Sequence, residues 1–596
     1  MERVADYVIS RLTECGIKHI FLITGRGILY LTDAVARNKD IEGISTYHEQ
    51  GASYAAMAYT SAKDGMAACL VSTGCAATNA VTAALCAYQD NLPVIFISGQ
   101  NMLEETTRHT GLQIRTYGSQ EADIISVVEP ITKYAVMLEH ADEAKTVMDQ
   151  AIFYANEGRK GPVWIDIPLD IQNARVEAEK LTGWISELYH KNDIEKDVEY
   201  VTKKLNHAKR PILFVGGGVQ GADAVSELSE LVQKTGIPVV FSSTACDTYG
   251  SGNELSIGAV GSLGGSRAGN FAVQNADFIL VLGSKMCSQT TGDVNTFARE
   301  ADIVVVDVDP IEHTKDGIDF ARVINVDAKV FLKELLRQET KPADAEWVLK
   351  CKHWKTIFAV KNEAFEQMYR DEGIIDLYHF ADVLSDKLFD DATVITDAGL
   401  EELIIPSTIR FKEGQRCLLP AAQGAMGYAI PAILGAYYAG RHNIVAVVGD
   451  GSFMMNMQEL LAISAQRIPA KIFVINNNMY AVIRKRQKDL FRNRTIGNDP
   501  SDGVAAPNFR KIADSFDIKY MEISGLEDME TEIERVLNLE EACICEVHCT
   551  DEQKYLHMSF AINEARKLVK RPQEDLSPFI DRELLRKEMI IAPVEE

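Results

Sequence analysis

Short, wholly apolar, β-branched runs alternate with helix-length amphipathic segments along almost the entire chain, and few folds accommodate that alternation. Runs apolar on both sides suit strands covered on both faces, which means parallel sheets assembled from strand–helix–strand units. They fall into three series: residues 19–23, 68–73, 93–98 and 163–167; then 211–215, 238–242, 278–282, 303–308 and 323–326; then 392–396, 444–448, 471–475 and 543–547. Charged stretches at 173–201 and 338–371 separate the series. The prediction is an α/β chain of three doubly wound, mainly parallel-sheet domains at 1–180, 195–338 and 372–550. A tail over 551–596 follows, with 572–581 reading as an extended strap across the body. The 596 residues suffice for three such domains at about 100–200 residues apiece.

Charge and cysteine usage narrow the partners. Lys and Arg total 61 against 86 Asp and Glu, a formal net charge of −25, and so acidic a surface repels phosphate backbones and argues against nucleic acid. The eleven cysteines are scattered without a C-x-x-C pair, which predicts reduced thiols in a cytoplasmic protein rather than a disulfide framework or zinc site. Cys545, His548 and Cys549 could be grouped as metal ligands, but the alternation around them reads as a strand. No run approaches the roughly 18 apolar residues of a membrane span. Met1–Asp6 opens an amphipathic helix with acidic residues rather than a signal peptide.

The most informative stretch begins at Ile444. An apolar run ends at Val448, and Gly449-Asp450-Gly451-Ser452 follows at its carboxyl end. Next comes an amphipathic helix, with Met457, Leu460, Leu461, Ile463 and Ser464 expected on its inner side, and then a second apolar run ending in Asn476-Asn477-Asn478. Two parallel strands joined by one crossover helix bring Asp450 and Asn477 side by side at the sheet edge where open α/β sheets bind ligands. A carboxylate and a side-chain amide, both hard oxygen donors, suit Mg²⁺ shared with a phosphate-bearing molecule. Gly449 and Gly451 would let backbone approach that phosphate, with helix N–H groups facing its charge.

This pattern resembles the diphosphate–magnesium site of thiamine diphosphate (ThDP) enzymes. The resemblance implies that Asp450 and Asn477 ligate the metal through their side chains and Met479 through its backbone carbonyl. It also implies a first-domain glutamate beside N1′ of the aminopyrimidine, and Tyr47-His48-Glu49-Gln50-Gly51, leading into an Ala-rich helix, supplies Glu49. Protonating N1′ favours the imino tautomer that removes the C2 proton.

Further matches are similar to the acetolactate synthase group: Ser72–Asn79, Ile97-Ser98-Gly99-Gln100, Gln120-Glu121-Ala122-Asp123, Pro130-Ile131-Thr132-Lys133 and Gly161–Pro168 in the first domain, and Gln423–Tyr428 in the third. They imply that Met426 wedges beneath the cofactor and that Ala398-Gly399 belongs to the diphosphate loop. By the same likeness Glu49 and Gln120 are catalytic. Gly25, Asn79, Gly424, Gly449, Gly451, Ser452, Tyr480, Ala481 and Val482 complete the cofactor contacts, while Lys133 and Arg486 line the substrate pocket. The three domains become pyrimidine-binding, central and diphosphate-binding. The group shares its site between two chains, so a homodimer or homotetramer is implied.

In the middle domain Gly216-Gly217-Gly218-Val219-Gln220-Gly221 fits G-x-G-x-x-G, a weak nucleotide signal, and no acidic residue falls where a ribose clamp would need one. Acetolactate synthases hold FAD there, and Gly261–Ser266 and Gly283–Met286 resemble their FAD loops. Lys285 and Gln289, however, stand where the group has arginines, and only Arg267 is nearby. An FAD site and a vestigial or differently occupied domain are both open.

Other departures touch the substrate. Arg486 replaces a tryptophan of the group, the loop Thr106–Arg115 is long and basic, and Thr24-Gly25-Arg26 replaces Pro-Gly-Gly. An arginine at that place favours an anionic or hydroxyl-rich acceptor over a small apolar one. Three functions are therefore carried. One is ThDP- and Mg-dependent decarboxylation of a 2-oxo acid, pyruvate first, with carboligation to a second carbonyl. Another transfers the two-carbon unit to a keto-sugar or nucleotide sugar in surface-polysaccharide assembly. The third, of another class, is an inactive regulatory homologue.

Overall fold

The computed structural model describes residues 1–63, 65–186, 194–359, 369–563 and 565–594. Parts of both charged stretches, 187–193 and 360–368, lie outside the described residues. The chain builds three six-stranded sheets, each parallel throughout. The first runs, edge to edge, Glu42–Ser45, His19–Leu22, Ala67–Val71, Val94–Gln100, Val163–Pro168, Tyr134–Met137. The second runs Ser256–Ala259, Val239–Phe241, Pro211–Val215, Phe278–Leu282, Asp302–Asp307, Arg322–Asn325. The third runs Arg416–Leu418, Thr393–Thr396, Ile444–Gly449, Lys471–Asn476, Cys543–His548, Lys519–Ile523.

In chain order the first and third sheets read 2-1-3-4-6-5, whereas the second reads 3-2-1-4-5-6. Winding therefore reverses between the first and third strands of the outer sheets, and between the first and fourth of the central one. Loops leaving two such strands diverge and open a crevice at their carboxyl ends. Ala398-Gly399 and Gly449-Asp450 flank that crevice in the third sheet, and Thr24-Gly25 and Ser72-Thr73-Gly74 flank it in the first.

The outer units are fused by two helices of small residues. Glu49–Lys63 is buried almost all round from Gly51 to Thr60, as is Ala429–Tyr438 up to Ala436. Ala55, Ala56 and Ala58 on one helix and Ala432, Ile433 and Ala436 on the other belong to one apolar cluster. Gly435 sets the closeness of approach: a Cβ there would stand 2.1 Å from the Ala55 carbonyl oxygen and 2.8 Å from the Ala58 Cβ. A second cluster joins the central sheet to the third through residues such as Leu280, Val304, Ile404 and Phe411.

After the third sheet the chain forms a small antiparallel hairpin, Phe560–Ile562 with Leu568–Lys570, and then crosses the central unit. The segment read as an extended strap begins instead with a buried 3-10 turn, Gln573–Asp575. Charge explains the difference: Glu574 takes a hydrogen bond from Gln274 (2.6 Å) and pairs with Arg299, while Asp575 pairs with Arg571 and Arg582. One helix also departs from expectation. Leu461 is 40% exposed, because a 3-10 turn, Met457–Glu459, precedes the helix Leu460–Ala465 and shifts its phase. All eleven cysteines are free, Cys543–His548 is a strand, and no grouping of metal-ligating side chains stands out among the described residues. No helix among them is long and apolar enough to cross a membrane.

Gly435→Val will push into backbone that cannot retreat. Overpacking of this kind costs about 1–3 kcal/mol, so a lowered unfolding midpoint is expected in thermal or urea melts. Gly221→Ala, whose Cβ would enter open space, serves as the neutral control. Equal midpoints for the two variants would refute the close-approach role.

Candidate functional site

The strand Ile444–Gly449 is apolar and buried up to Val448, so the first polar side chain it releases, Asp450, emerges at the sheet edge. Asp450 is 5% exposed, and its Oδ2 accepts the Asn478 N–H at 2.6 Å. Burial pushes its carboxyl up to about 6, against the opposing pull of the Asn478, Gly451, Met479 and Asn477 amides. The register Gly449↔Ile475 sets Asn477 alongside, just past the end of Lys471–Asn476. Asn477 Oδ1 accepts the Met479 N–H at 3.3 Å, which orients the turn toward Tyr480. A Cβ on Gly451 would strike the Tyr480 ring at 2.1 Å, so that glycine makes room for the aromatic ring. Ala481 and Val482 open the helix Ala481–Leu490 directly afterwards.

Three loops meet here through Asp397, which is fully buried behind Thr393–Thr396. Its Oδ2 accepts the Ser452 hydroxyl (2.7 Å) and the Ala429 N–H (3.1 Å), and Ser452 Oγ in turn accepts the Gly427 N–H (2.8 Å). Burial raises Asp397 to about 7. This tie holds Ala398-Gly399, the segment Gly424–Gly427 carrying half-buried Met426, and the turn Asp450–Phe453 in one place. Ser452 thus acts by joining loops. Two residues that the sequence reading missed complete the cradle. Glu401 lies against Gly399 and Gly449, Glu402 lies against Gly424, and burial pushes both carboxyls up to about 8. Their signal was present in the sequence as two adjacent carboxylates in the first turn of a helix straight after a strand-end glycine.

At the edge of the first sheet, Glu49 opens its helix and accepts a hydrogen bond from Asn79 Nδ2 at 2.9 Å. Gly25 packs against Ser72, whose Oγ accepts the Gly27 N–H. Gly74, at φ +64°, abuts the Gln120 carbonyl, and Gln120 is itself exposed with φ 65°. Beneath this edge the Asp166 carboxylate is buried: it accepts Ser98 Oγ–H (2.6 Å) and Gln100 Nε2–H (3.2 Å), while Trp164 Nε1 donates to Ser98. Gln100 and Asn101 then donate to the carbonyls of Ala122 and Ser119, which pins the Gln120 loop. Burial raises Asp166 to about 7.

Within one chain the two units are hydrogen-bonded at several places, including Ala422 N–H to Asp90 and Gln423 to Gln89. The Tyr47 N–H donates to both oxygens of fully buried Glu459 (3.1 Å each), and Asn456 Nδ2 donates to Gln50. The Glu49 carboxylate itself makes no hydrogen bond to the Asp450 group among the described residues. Lys133 is not brought to either edge. It packs against Gly161 and donates to the Glu157 carbonyl, and burial lowers its ammonium to about 8. Arg108 pairs with Asp123, and His109 contacts Glu139. Arg486 is exposed on the helix following Tyr480 and has no ion pair or hydrogen bond among the described residues, whereas Arg484, Lys485 and Lys488 beside it are all paired.

In the central unit the glycine triplet serves loop packing. A Cβ on Gly216 or Gly218 would meet the Gly283 backbone at 2.2 or 2.7 Å. The tail runs against the neighbouring loop, with the Met558 N–H donating to the Ser262 carbonyl (2.7 Å) and Arg267 Nη2 to the Pro578 carbonyl (2.8 Å).

Comparison with known proteins agrees with this arrangement. Models of the thiamine pyrophosphate enzymes match in three parts: the N-terminal TPP binding domain over residues 2–126, the central domain over 198–335 and the C-terminal TPP binding domain over 397–547. The acetolactate synthase large subunit of Cyanidium caldarium is 29% identical over 561 residues, covering 89% of this chain and 90% of the relative. Acetolactate synthase 1, chloroplastic, of Zea mays is 30% identical over 547 residues, covering 89% and 83% respectively. Acetolactate synthase, chloroplastic, of Arabidopsis thaliana is 27% identical over 565 residues, covering 93% and 82%.

The buried acid beneath the first edge gives a pH test. A folded pKa raised to about 7 from an unfolded value near 4 means that the native chain binds the extra proton between those limits. Stability from this group is therefore full at low pH and declines as pH rises through 7. Relative to Asp166→Asn, wild type should lose on the order of 2 kcal/mol between pH 5 and 8 in paired denaturation curves. A difference independent of pH would contradict the assignment.

Proposed function

Because the chain belongs to the thiamine diphosphate enzyme family, in the acetolactate synthase group, we propose that it decarboxylates a 2-oxo acid, pyruvate first, and joins the two-carbon unit to a second carbonyl compound. The observation that carries this reading is Asp450, buried at the switch point of the third sheet with Asn477 beside it. Asp450, the Asn477 amide oxygen and the Met479 carbonyl are hard oxygen donors that would hold Mg²⁺ shared with a diphosphate. Gly399, Gly424 and Gly449 would face the diphosphate, and Met426 would be the apolar wedge beneath the cofactor. When bound, ThDP supplies a carbanion at C2 and a sink for the electrons released as CO₂ leaves.

Everything else is done by side chains. Glu49 holds the proton at N1′ of the aminopyrimidine, and Asn79 fixes the Glu49 carboxyl that does so. Asp397 and Ser452 hold the three loops of the cradle in fixed positions. Gln120 borders the reacting carbon in this reading. Removing one such general acid–base group costs about 10²–10⁴-fold in rate.

The Glu49 and Asp450 groups are completed by a second copy of the chain, as a homodimer or homotetramer. Tyr47, Met454, Met455 and Leu461, 40–53% exposed around the Tyr47–Glu459 junction, offer the apolar surface for that contact. The central unit is given no chemical role. Gly216 and Gly218 pack against Gly283 and Arg267 donates to the Pro578 carbonyl of the tail; an FAD site and a differently occupied domain are both compatible with this packing.

Arg486 favours a particular acceptor. An unpaired guanidinium beside the cofactor turn suits an anionic or hydroxyl-rich carbonyl compound, which supports a keto-sugar or nucleotide-sugar acceptor over a second 2-oxo acid.

With ThDP and Mg²⁺ present, CO₂ release from pyruvate is expected, lost by at least 100-fold in Glu49→Gln, with the active species containing at least two chains. Pyruvate consumption should accelerate when a keto-sugar nucleotide is added. Equal rates without sugar would remove the sugar acceptor, and no CO₂ from any 2-oxo acid would leave the inactive-homologue reading.

A further inference from the structure

Glu401 has no task in the mechanism above. It is 3% exposed, in the first turn of the helix Leu400–Thr408, immediately behind Gly399. Its Oε2 lies 2.6 Å from where a Cβ on Gly399 would stand, and Oε2 and Oε1 lie 3.2 and 3.3 Å from one on Gly449. The carboxylate thus sits between the two glycine turns that flank the crevice, on the same edge as Asp450.

A carboxyl this deeply buried stays protonated unless a cation or several donors stabilise its charged form. Among the described residues no Lys, Arg or His pairs with it, and no side chain donates to it. Its hydrogen bond is to its own backbone N–H, and the charged groups facing it, Asp397 and Asp450, carry the same sign. Asp397, equally buried, takes bonds from Ser452 and Ala429 at Oδ2, while its Oδ1 has no partner among the described residues. Glu401 therefore sits against the two glycine turns with no donor among the described residues but its own backbone N–H.

We infer that Glu401 is a second metal-binding carboxylate of this cradle, holding the same divalent cation as Asp450, directly or through one water. The inference rests on the cofactor reading above. With two carboxylates at hand, hard octahedral cations such as Mg²⁺ and Mn²⁺ gain a stronger hold than one carboxylate and an amide provide.

The test is Mn²⁺ binding to the full chain with ThDP present, followed by the electron paramagnetic resonance signal of free Mn²⁺, a readout independent of turnover. Glu401→Gln should weaken Mn²⁺ binding at least tenfold. Glu401→Asp, which retains the charge but withdraws it by one methylene, should weaken it as well and serves if the first variant does not fold. Unchanged or tighter Mn²⁺ binding in either folded variant overturns the inference, because a carboxylate that only repels the diphosphate would be better absent. Asp450→Asn separates the two levels: if it too leaves Mn²⁺ binding intact, the cradle itself is misassigned, whereas loss in Asp450→Asn alone sinks only the role of Glu401.

Discussion

Reversal of winding direction within a parallel sheet is the constraint on which the rest depends. A strand and its neighbour that lead to helices on opposite faces must part at their carboxyl ends, and the gap between their loops cannot be closed by either helix. The first and third sheets share the order 2-1-3-4-6-5, so each opens such a gap between its first and third strands. Gly25 and Ser72 border one, and Gly399 and Asp450 border the other. Those positions follow from the topology; the chemistry follows from what the chain places there.

Crevices are useful only if their walls stay fixed, and here fixing falls to small and buried polar groups. Gly435 against the Ala55 carbonyl lets two helices approach closely enough to lock the first unit to the third. Asp397, Ser452 and the Gly427 amide do the same for three loops that no secondary structure connects. Buried networks of this kind hold geometry firmly because each lost partner leaves a desolvated polar atom. The Ser98–Asp166–Gln100 group is the counterpart beneath the first edge.

How much of this was legible in the sequence divides along a physical line. Interior strands, covered by helices on both faces and paired on both sides, must be apolar throughout, and Phe278–Leu282, Ile444–Gly449 and Val163–Pro168 read directly. The strands passed over, Glu42–Ser45, Tyr134–Met137, Ser256–Ala259, Arg416–Leu418 and Lys519–Ile523, all lie at sheet edges. An edge strand has one open flank, and four of these carry charge or Gly, which removes the apolar signature, whereas Tyr134–Met137 is apolar but only four residues long. The candidate site divides in the same way. Asp450 and Asn477 stand at the ends of well-marked elements, so spacing set them side by side, whereas Glu49 was singled out by family likeness. Lys133 was placed by local likeness alone, and the fold carries it to the Glu157 carbonyl instead. Glu459 escaped notice because its partner, the Tyr47 N–H, lies on a different unit.

The acidity of the third crevice remains to be reconciled with an anionic cofactor. Helix-start amides around Asp450 and Gly451 favour negative charge, yet Asp397, Glu401, Glu402 and Asp450 all crowd the same edge. Asp397 Oδ2 is engaged by hydroxyl and amide donors, although its buried Oδ1 has no partner among the described residues. The others face the opening, and no cationic side chain among the described residues pairs with them. A diphosphate entering alone would meet like charge in a medium of low dielectric, where repulsion is poorly screened. A divalent cation held between carboxylate and phosphate changes the sign of that encounter. In the proposed function the metal would accordingly be more than an orienting device, because it would make a crevice built of acids able to accept an anion.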